Sequence, residues 1–235
     1  MSEPRRRYLV TGVLGAIGAW TARTLVERGA TVVGLDLGGS QHRLDIAFEP
    51  RTRDGLELVQ GDIADLEALE RLLAGHGITN VIHLAAMQVP LVRERPALGA
   101  LVNVVGTVNV LVAAGDAQVI FSSSGGAGYG ECPVPATEES PFLPLSPYGI
   151  AKKCGEEYLA GWNRIHGTSH VSLRFANVYG ERQDSGLEGG VVAIFLERLA
   201  RSEETVVFGD GDQRRDFVYV GDVLSLIHIS EPTRP

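Results

Sequence analysis

Short runs of apolar, often β-branched residues alternate along this chain with longer segments whose apolar positions recur every three or four residues. The runs YLVTG (8–12), TVVGLD (31–36), LELVQGD (56–62), NVIHLAA (80–86) and QVIFSSS (118–124) read as strands, and HVSLRFANVYG (170–180) as a strand leading into a loop. Between them, AWTARTLVERGA (19–30) has helical spacing and meets Gly29, a residue suited to a C-terminal cap. Residues 64–75 put Leu66, Leu69, Leu72 and Leu73 on one helical face, and 98–114 is a further helix-like stretch. Strands apolar on both faces and separated by helices predict a doubly wound parallel α/β sheet, the Rossmann architecture. No repeat or low-complexity stretch interrupts the pattern.

Composition narrows the function. The 235 residues are 44% hydrophobic and 21% charged, an ordinary balance for a soluble globular chain. A net charge of -8 argues against nucleic acid as a partner, which calls for a basic face. The two cysteines, Cys132 and Cys154, lack metal-ligand spacing and imply reduced thiols in the cytoplasm rather than a disulfide framework. Six scattered histidines imply no metal site. The apolar run after MSEPRRR is too short for a secretory signal. No segment approaches the roughly 18 apolar residues of a membrane span, so a membrane is not expected as a partner.

The chemistry begins at TGVLGAIG, which sets Gly12, Gly15 and Gly18 between the first strand and the first helix. Such a turn brings the backbone close to a pyrophosphate and aims a helix N-terminus at it. Asp36 ends the second strand, where a carboxylate accepts from the ribose hydroxyls of NAD and repels the 2′-phosphate of NADP. Asp62, in GDI (61–63), ends the third strand, where it can meet an adenine, cap the next helix, or both. Farther on, SPYGIAKK places Tyr148 and Lys152 four residues apart, on one helical face. A lysine beside a phenol favours phenolate, so Tyr148 is expected to have a lowered pKa and to act as a general base. Ser122, Ser123 and Ser124 end the preceding strand, where a hydroxyl can reach the same substrate oxygen.

TGVLGAIG, GDI, HLAA, SSS…YG, SPYGIAK, LRFANVYG and GDGDQRRDFVYVGDV occur in one order over residues 5–223. In these motifs the chain resembles the extended short-chain dehydrogenase/reductases, and among them the NAD-dependent sugar-nucleotide epimerase/dehydratase family, most closely its UDP-glucose 4-epimerase-like members. The resemblance implies NAD as cofactor, a nucleotide-sugar substrate of the UDP-hexose class, and a homodimer built on helices such as 98–114 and 147–163. It implies that Tyr148 is the base, that Lys152 holds the cofactor ribose and tunes Tyr148, and that Ser124, with Ser123 as the fallback, binds the sugar hydroxyl. Asp62, Ile63, Ala85 and Asn103 match cofactor-lining positions. Asn177 matches a substrate-binding residue, and Arg215, beside Arg214, matches an arginine on the nucleotide diphosphate. Dehydratases of the family carry Asp-Glu after the catalytic hydroxyl. Gly125 and Gly126 stand there in this chain, which favours epimerisation through a keto-sugar. A dehydrogenase that releases NADH and a non-catalytic NAD-binding regulator are the alternatives.

These motifs divide the chain into an NAD-binding domain (5–170), a partial substrate-binding region (171–223) and a tail (224–235). The tail, LSLIHISEPTRP, looks like a translated transposon-end sequencing adapter, so a native chain is expected to continue past Val223 and the C-terminal substrate-binding region to be incomplete. The short GDAQ segment before the strand at 118 is expected to be a tight loop.

Overall fold

A computed structural model describes residues 6–48, 52–181, 183, 185–186 and 190–229. Strands β1 (Arg7–Thr11), β2 (Thr31–Asp36), β3 (Leu56–Gln60), β4 (Asn80–His83), β5 (Gln118–Ser124) and β6 (Val171–Phe175) form one sheet in the order β3-β2-β1-β4-β5-β6. Every pairing in it is parallel, with Leu9 beside Val33, Val10 beside Ile82, and Ser123 beside Arg174. The helices are α1 (Ala16–Glu27), α2 (His42–Ala47), α3 (Leu66–His76), α4 (Val89–Glu94), α5 (Pro96–Ala100), α6 (Gly106–Ala114), α7 (Gly125–Gly128), α8 (Pro147–His166), α9 (Val191–Ala200) and α10 (Val220–Ile229).

Alternation along the strands builds two cores. Tyr8, Val10, Ile82 and Ile120 face one side, where Ala19, Ala22 and Leu25 of α1 cover them. Leu9, Val81, Val119 and Phe121 face the other, under Leu69 of α3, Leu111 of α6 and Leu159 of α8. Burial on both faces is why these strands read as continuous apolar runs. The chain winds outward from β1 in one direction and from β4 in the other, so a crevice opens between them at the C-terminal strand ends. Crevices at such switch points are where open α/β sheets bind ligands.

Four sequence expectations need correction. The loop expected at the end of 170–180 holds a second strand: after Phe175 the chain leaves the large sheet, and β7 (Asn177–Tyr179) pairs with β8 (Phe217–Tyr219) in a separate parallel ribbon. One apolar run cannot reveal that its partner changes midway. The cap of α3 is Asp65, which accepts from the Ala68 N–H at 3.0 Å; Asp62 instead accepts from the Ala64 N–H at 2.9 Å, closing a local turn ahead of the helix. The helix-like stretch at 98–114 begins at Pro96 and runs through α5, a π-helical turn at Leu101–Val105, and α6. That run, Pro96–Ala114, has 19 residues and a mean hydropathy of 2.0, long and apolar enough to cross a membrane by length and composition. Its glycines and polar residues concealed it in the sequence, and its inner side is packed against α3 and α8.

The loop from α6 to β5 is as short as expected: Gly115 adopts φ 53°, and Ala117 N–H bonds back to Ala114 O at 2.8 Å. Helix α10 continues across the boundary read at 223/224, with Val220 buried and Val223 and Leu224 buried in the core that α1 lines. Residues 230–235 of the tail lie outside the described residues.

Candidate active site

Four structural groups converge at the crevice, and the glycine loop comes first. Gly12 has φ 73°, and a Cβ there would lie 2.8 Å from Ala85 N; a Cβ on Gly18 would lie 2.1 Å from Gly12 O. Gly15, the N-terminal cap of α1, offers no side chain, and the first turn carries no acid. The loop is therefore a compact backbone cradle with a helix N-terminus open to an anion. Asp36 stands beside it, its Oδ2 accepting from Leu14 N–H at 3.0 Å.

The second group lies behind the cradle. His83, at the end of β4, is 1% exposed, with Nδ1 2.8 Å from Thr11 Oγ1 and Nε2 3.1 Å from Thr107 Oγ1. Burial pushes its pKa down to about 3, and the charge on Lys152 acts in the same direction. Asn103 is also buried: its Oδ1 accepts from Met87 N–H at 2.7 Å and its Nδ2 donates to Met87 O at 3.0 Å. Its amide therefore braces the turn after β4, so a part in holding a cofactor runs through the Met87 backbone. Ala85, on that turn, meets the glycine loop directly. Ile63 is buried in the core against Gly106, leaving only its backbone for a ligand.

The third group is on α8. Ser146 caps this helix by accepting from Gly149 N–H at 3.1 Å, Pro147 sits in its first turn, and Tyr148 follows. Lys152 comes one turn later. It is 3% exposed, donates from Nζ to Ser122 O at 2.7 Å, and lies 5.7 Å from the Tyr148 ring centroid and 4.9 Å from that of Phe121. Burial lowers the Lys152 pKa to about 8. Tyr148 departs from expectation, because burial raises its pKa to about 12. Desolvation of the phenolate outweighs the neighbouring ammonium, one of whose donors is already committed to Ser122. Ser124 ends β5 and caps α7, its Oγ accepting from Ala127 N–H at 3.3 Å. Ser123 points to the sheet face that α8 covers, and its buried Oγ has no hydrogen-bond partner.

The fourth group faces the β5 end. Asn177 Nδ2 donates to Asp216 O at 2.9 Å, and a Cβ on Gly126 would lie 3.8 Å from that amide. Arg215 is exposed next to Asp216, with Nη1 2.8 Å from Arg214 O. Thus the β7–β8 ribbon brings Asn177 and Arg215 together. Beneath them, Arg174 makes three bonds of 2.7–3.0 Å to the Glu156 carboxylate and a fourth, 3.0 Å long, to Tyr129 Oη. Its guanidinium also lies 4.2 Å from the Phe142 ring centroid, and Glu156 raises its pKa above the usual arginine range.

A family model, the NAD dependent epimerase/dehydratase family, matches residues 8–230. The chain belongs to this family. A putative UDP-glucose 4-epimerase of Methanocaldococcus jannaschii is 40% identical over 220 residues, 92% of this chain and 70% of the relative. A UDP-glucose 4-epimerase of Mycolicibacterium smegmatis is 42% identical over 224 residues, 93% and 71%. Among solved structures, the Thermotoga maritima UDP-glucose 4-epimerase with UDP-glucose superposes with TM-score 0.88 and 39% identity over 96% of this chain and 73% of its own. The Thermus thermophilus UDP-glucose 4-epimerase in complex with NAD gives TM-score 0.85 and 37% identity, covering 95% and 74%.

The residues present fit the family's dinucleotide. The cradle is too tight for side chains at Gly12 and Gly18, an acid stands at the β2 end, and a buried ammonium lies beyond. The sequence reading missed two sets of this family member's residues, namely Thr11–His83–Thr107 and Tyr129–Glu156–Arg174. Polar Asn103, Thr107 and Asn109 on an otherwise apolar helix were a legible signal for the first. Glu156, four residues after Lys152, was one for the second.

Proposed function

We propose that this chain is an NAD-dependent 4-epimerase of UDP-hexoses, interconverting UDP-glucose and UDP-galactose through a 4-keto sugar. The observation that carries the reading is Tyr148 one helical turn from the buried Lys152, which is tied to β5, on the far side of the β1–β4 switch point from Asp36, with the glycine loop following β1 between them. Bound NAD supplies the hydride acceptor for the first half-reaction and the donor for the second. Gly12, Gly15, Gly18 and the first turn of α1 cradle the pyrophosphate, Asp36 accepts from a ribose hydroxyl, and the backbone at Asp62, Ile63 and Ala85 flanks the base and ribose. Lys152 orients the second ribose. Tyr148 Oη takes the proton of the sugar 4-hydroxyl and later returns it to the same oxygen, when hydride reaches C4 on the opposite face of the keto-sugar. Its raised pKa suits the acid half of that cycle, and the Lys152 ammonium offsets the cost of the base half. Ser124 hydrogen-bonds the reacting oxygen by exchanging its cap on α7. Asn177 binds the sugar nucleotide, and Arg215 swings from its exposed position onto the diphosphate.

With glycine at 125 and 126 there is no acid pair to expel water, which supports epimerisation over dehydration. The free thiols Cys132 and Cys154 suit the cytoplasm. A homodimer fits the apolar face that Leu98, Leu101, Val105 and Val112 share with Ile150 and Tyr158 of α8, all of them exposed.

The test is UDP-galactose conversion by the purified chain, followed by separation of the two UDP-hexoses. Tyr148→Phe should lower turnover by about 10²–10⁴-fold while leaving NAD binding intact. Absence of conversion together with NADH release on a candidate alcohol would replace epimerase with dehydrogenase.

A further inference from the structure

His83, Thr11, Thr107 and Asn103 are each at most 2% exposed, so none of their side chains can touch a ligand in the crevice. They act, if at all, through the backbones they hold. Those backbones are the chain entering the glycine loop and the turn after β4, which come within a Cβ's width of one another at Gly12 and Ala85.

The hydrogen bonds run in one direction. Thr11 Oγ1 accepts from the Ala85 N–H at 3.2 Å and shares the Leu84 N–H with its own main-chain O, each at 3.2 Å. With its lone pairs so used, its proton is left for His83 Nδ1 at 2.8 Å. At the other end, Thr107 donates its own proton to Asn103 O at 2.8 Å, so its Oγ1 must accept from His83 Nε2 at 3.1 Å. The Thr107 end requires a proton on Nε2, and the Thr11 end, where Nδ1 accepts, makes the ring neutral. Nδ1 protonation would set three donors on Thr11 Oγ1 and turn the hydroxyl away from the turn it secures.

We propose that His83, as the neutral Nε2–H tautomer, is a positioning residue that fixes the glycine loop and the 84–87 turn against each other for NAD. The network spans from the π-helical turn, through Asn103 and Thr107, to the last residue before Gly12, and it satisfies its own buried polar atoms at the β1–β4 point where the strand order reverses. A buried network satisfied at every member rigidifies what it joins. This role rests on the NAD-binding reading above.

Two measurements on the full chain test it. With ¹⁵N-labelled histidine, long-range proton–nitrogen correlation should show one ring, absent in His83→Phe, as the Nε2–H tautomer. Lys152 is the charge that faces it from α8, and the ring should not titrate between pH 5 and 8. An Nδ1–H ring, or titration near 6.5, overturns the assignment. Second, NAD affinity is compared among variants, with folding followed by urea midpoint. His83→Phe keeps the ring that packs on Phe121 but loses both bonds, and should bind NAD about tenfold more weakly, the effect of one buried hydrogen bond left unmade. Thr107→Val should weaken it less, and Thr107→Ser should restore the wild-type value. A folded His83→Phe that binds NAD like wild type overturns the proposal. Wild type that binds no NAD overturns the cofactor reading itself, a different result.

Discussion

Residues up to Phe175 and those after it are built differently. In the first region the central strands are sealed on both faces, with Leu9 and Val10 at 0% exposure, and the polar side chains Thr11, His83 and Thr107 inside are tied into a directed network. In the second, α9 contributes no buried residue, Leu199 is 65% exposed, and β7 and β8 form only a three-residue ribbon. Of the buried residues on α10, Val223 and Leu224 lie in the first region's core, while Val220 packs on Gly180. Cofactor geometry is thus held by a close-packed interior, which transmits every displacement. The candidate substrate residues Asn177 and Arg215 are held instead by a few backbone bonds, one of which Arg215 makes to its own neighbour.

The contrast predicts a ladder of effects. Leu9→Ala, in the centre of the sheet, should cost about 2–5 kcal/mol of unfolding free energy in urea, because both neighbouring strands are fixed and the cavity cannot collapse. Arg174→Ala sits at the seam, where Glu156 would keep a mostly buried carboxylate without its partner; we expect a loss of roughly 2 kcal/mol, and slower epimerisation as α8 loses its tie to β6. A loss as small as that of an exposed ion pair would show the seam to be solvated.

The difference between wild type and His83→Phe on acidification isolates one site of the first region. Folded His83 has its pKa lowered to about 3 from 6.5, so the unfolded chain takes up a proton that the folded chain refuses. That contribution to stability is complete above 6.5 and is lost as pH falls toward 3. Between pH 6.5 and 5, wild type should therefore lose stability with a slope up to about 1.4 kcal/mol per pH unit steeper than His83→Phe. Equal slopes would mean that the site is wet. At the bottom of the ladder, Leu199→Ala on α9 should change stability by less than about 0.5 kcal/mol; a larger loss would show that the second region is as well packed as the first.

Much of this molecule could be read without coordinates. Six of the strands, the parallel order of the large sheet, the glycine cradle, Asp36 and the Tyr148–Lys152 turn all follow from local periodicity and from glycine positions, because a strand buried on both faces must be apolar throughout and a tight backbone approach must lack Cβ atoms. Where local pattern and partner choice separate, the reading failed. LRFANVYG looks like one strand leading into a loop, yet its halves belong to different sheets. Asp62 and Asp65 are equally good caps on paper, and only the path of the chain into α3 selects Asp65.

The chemistry divides in the same way. Spacing put Lys152 beside Tyr148, but the sign of the Tyr148 pKa shift depended on how much water α8 and β5 exclude from the phenol, a property of the assembled fold. Likewise, HLAA announced a strand end, while the role of its histidine came from Thr11 and Thr107, which are 72 and 24 residues away and reach it only when β1, β4 and the long helix close around it. The chain's own order determined which elements form and what chemistry they carry; tertiary packing decided desolvation, hydrogen-bond direction and partner, because those depend on groups that sequence separates and folding brings within 3 Å.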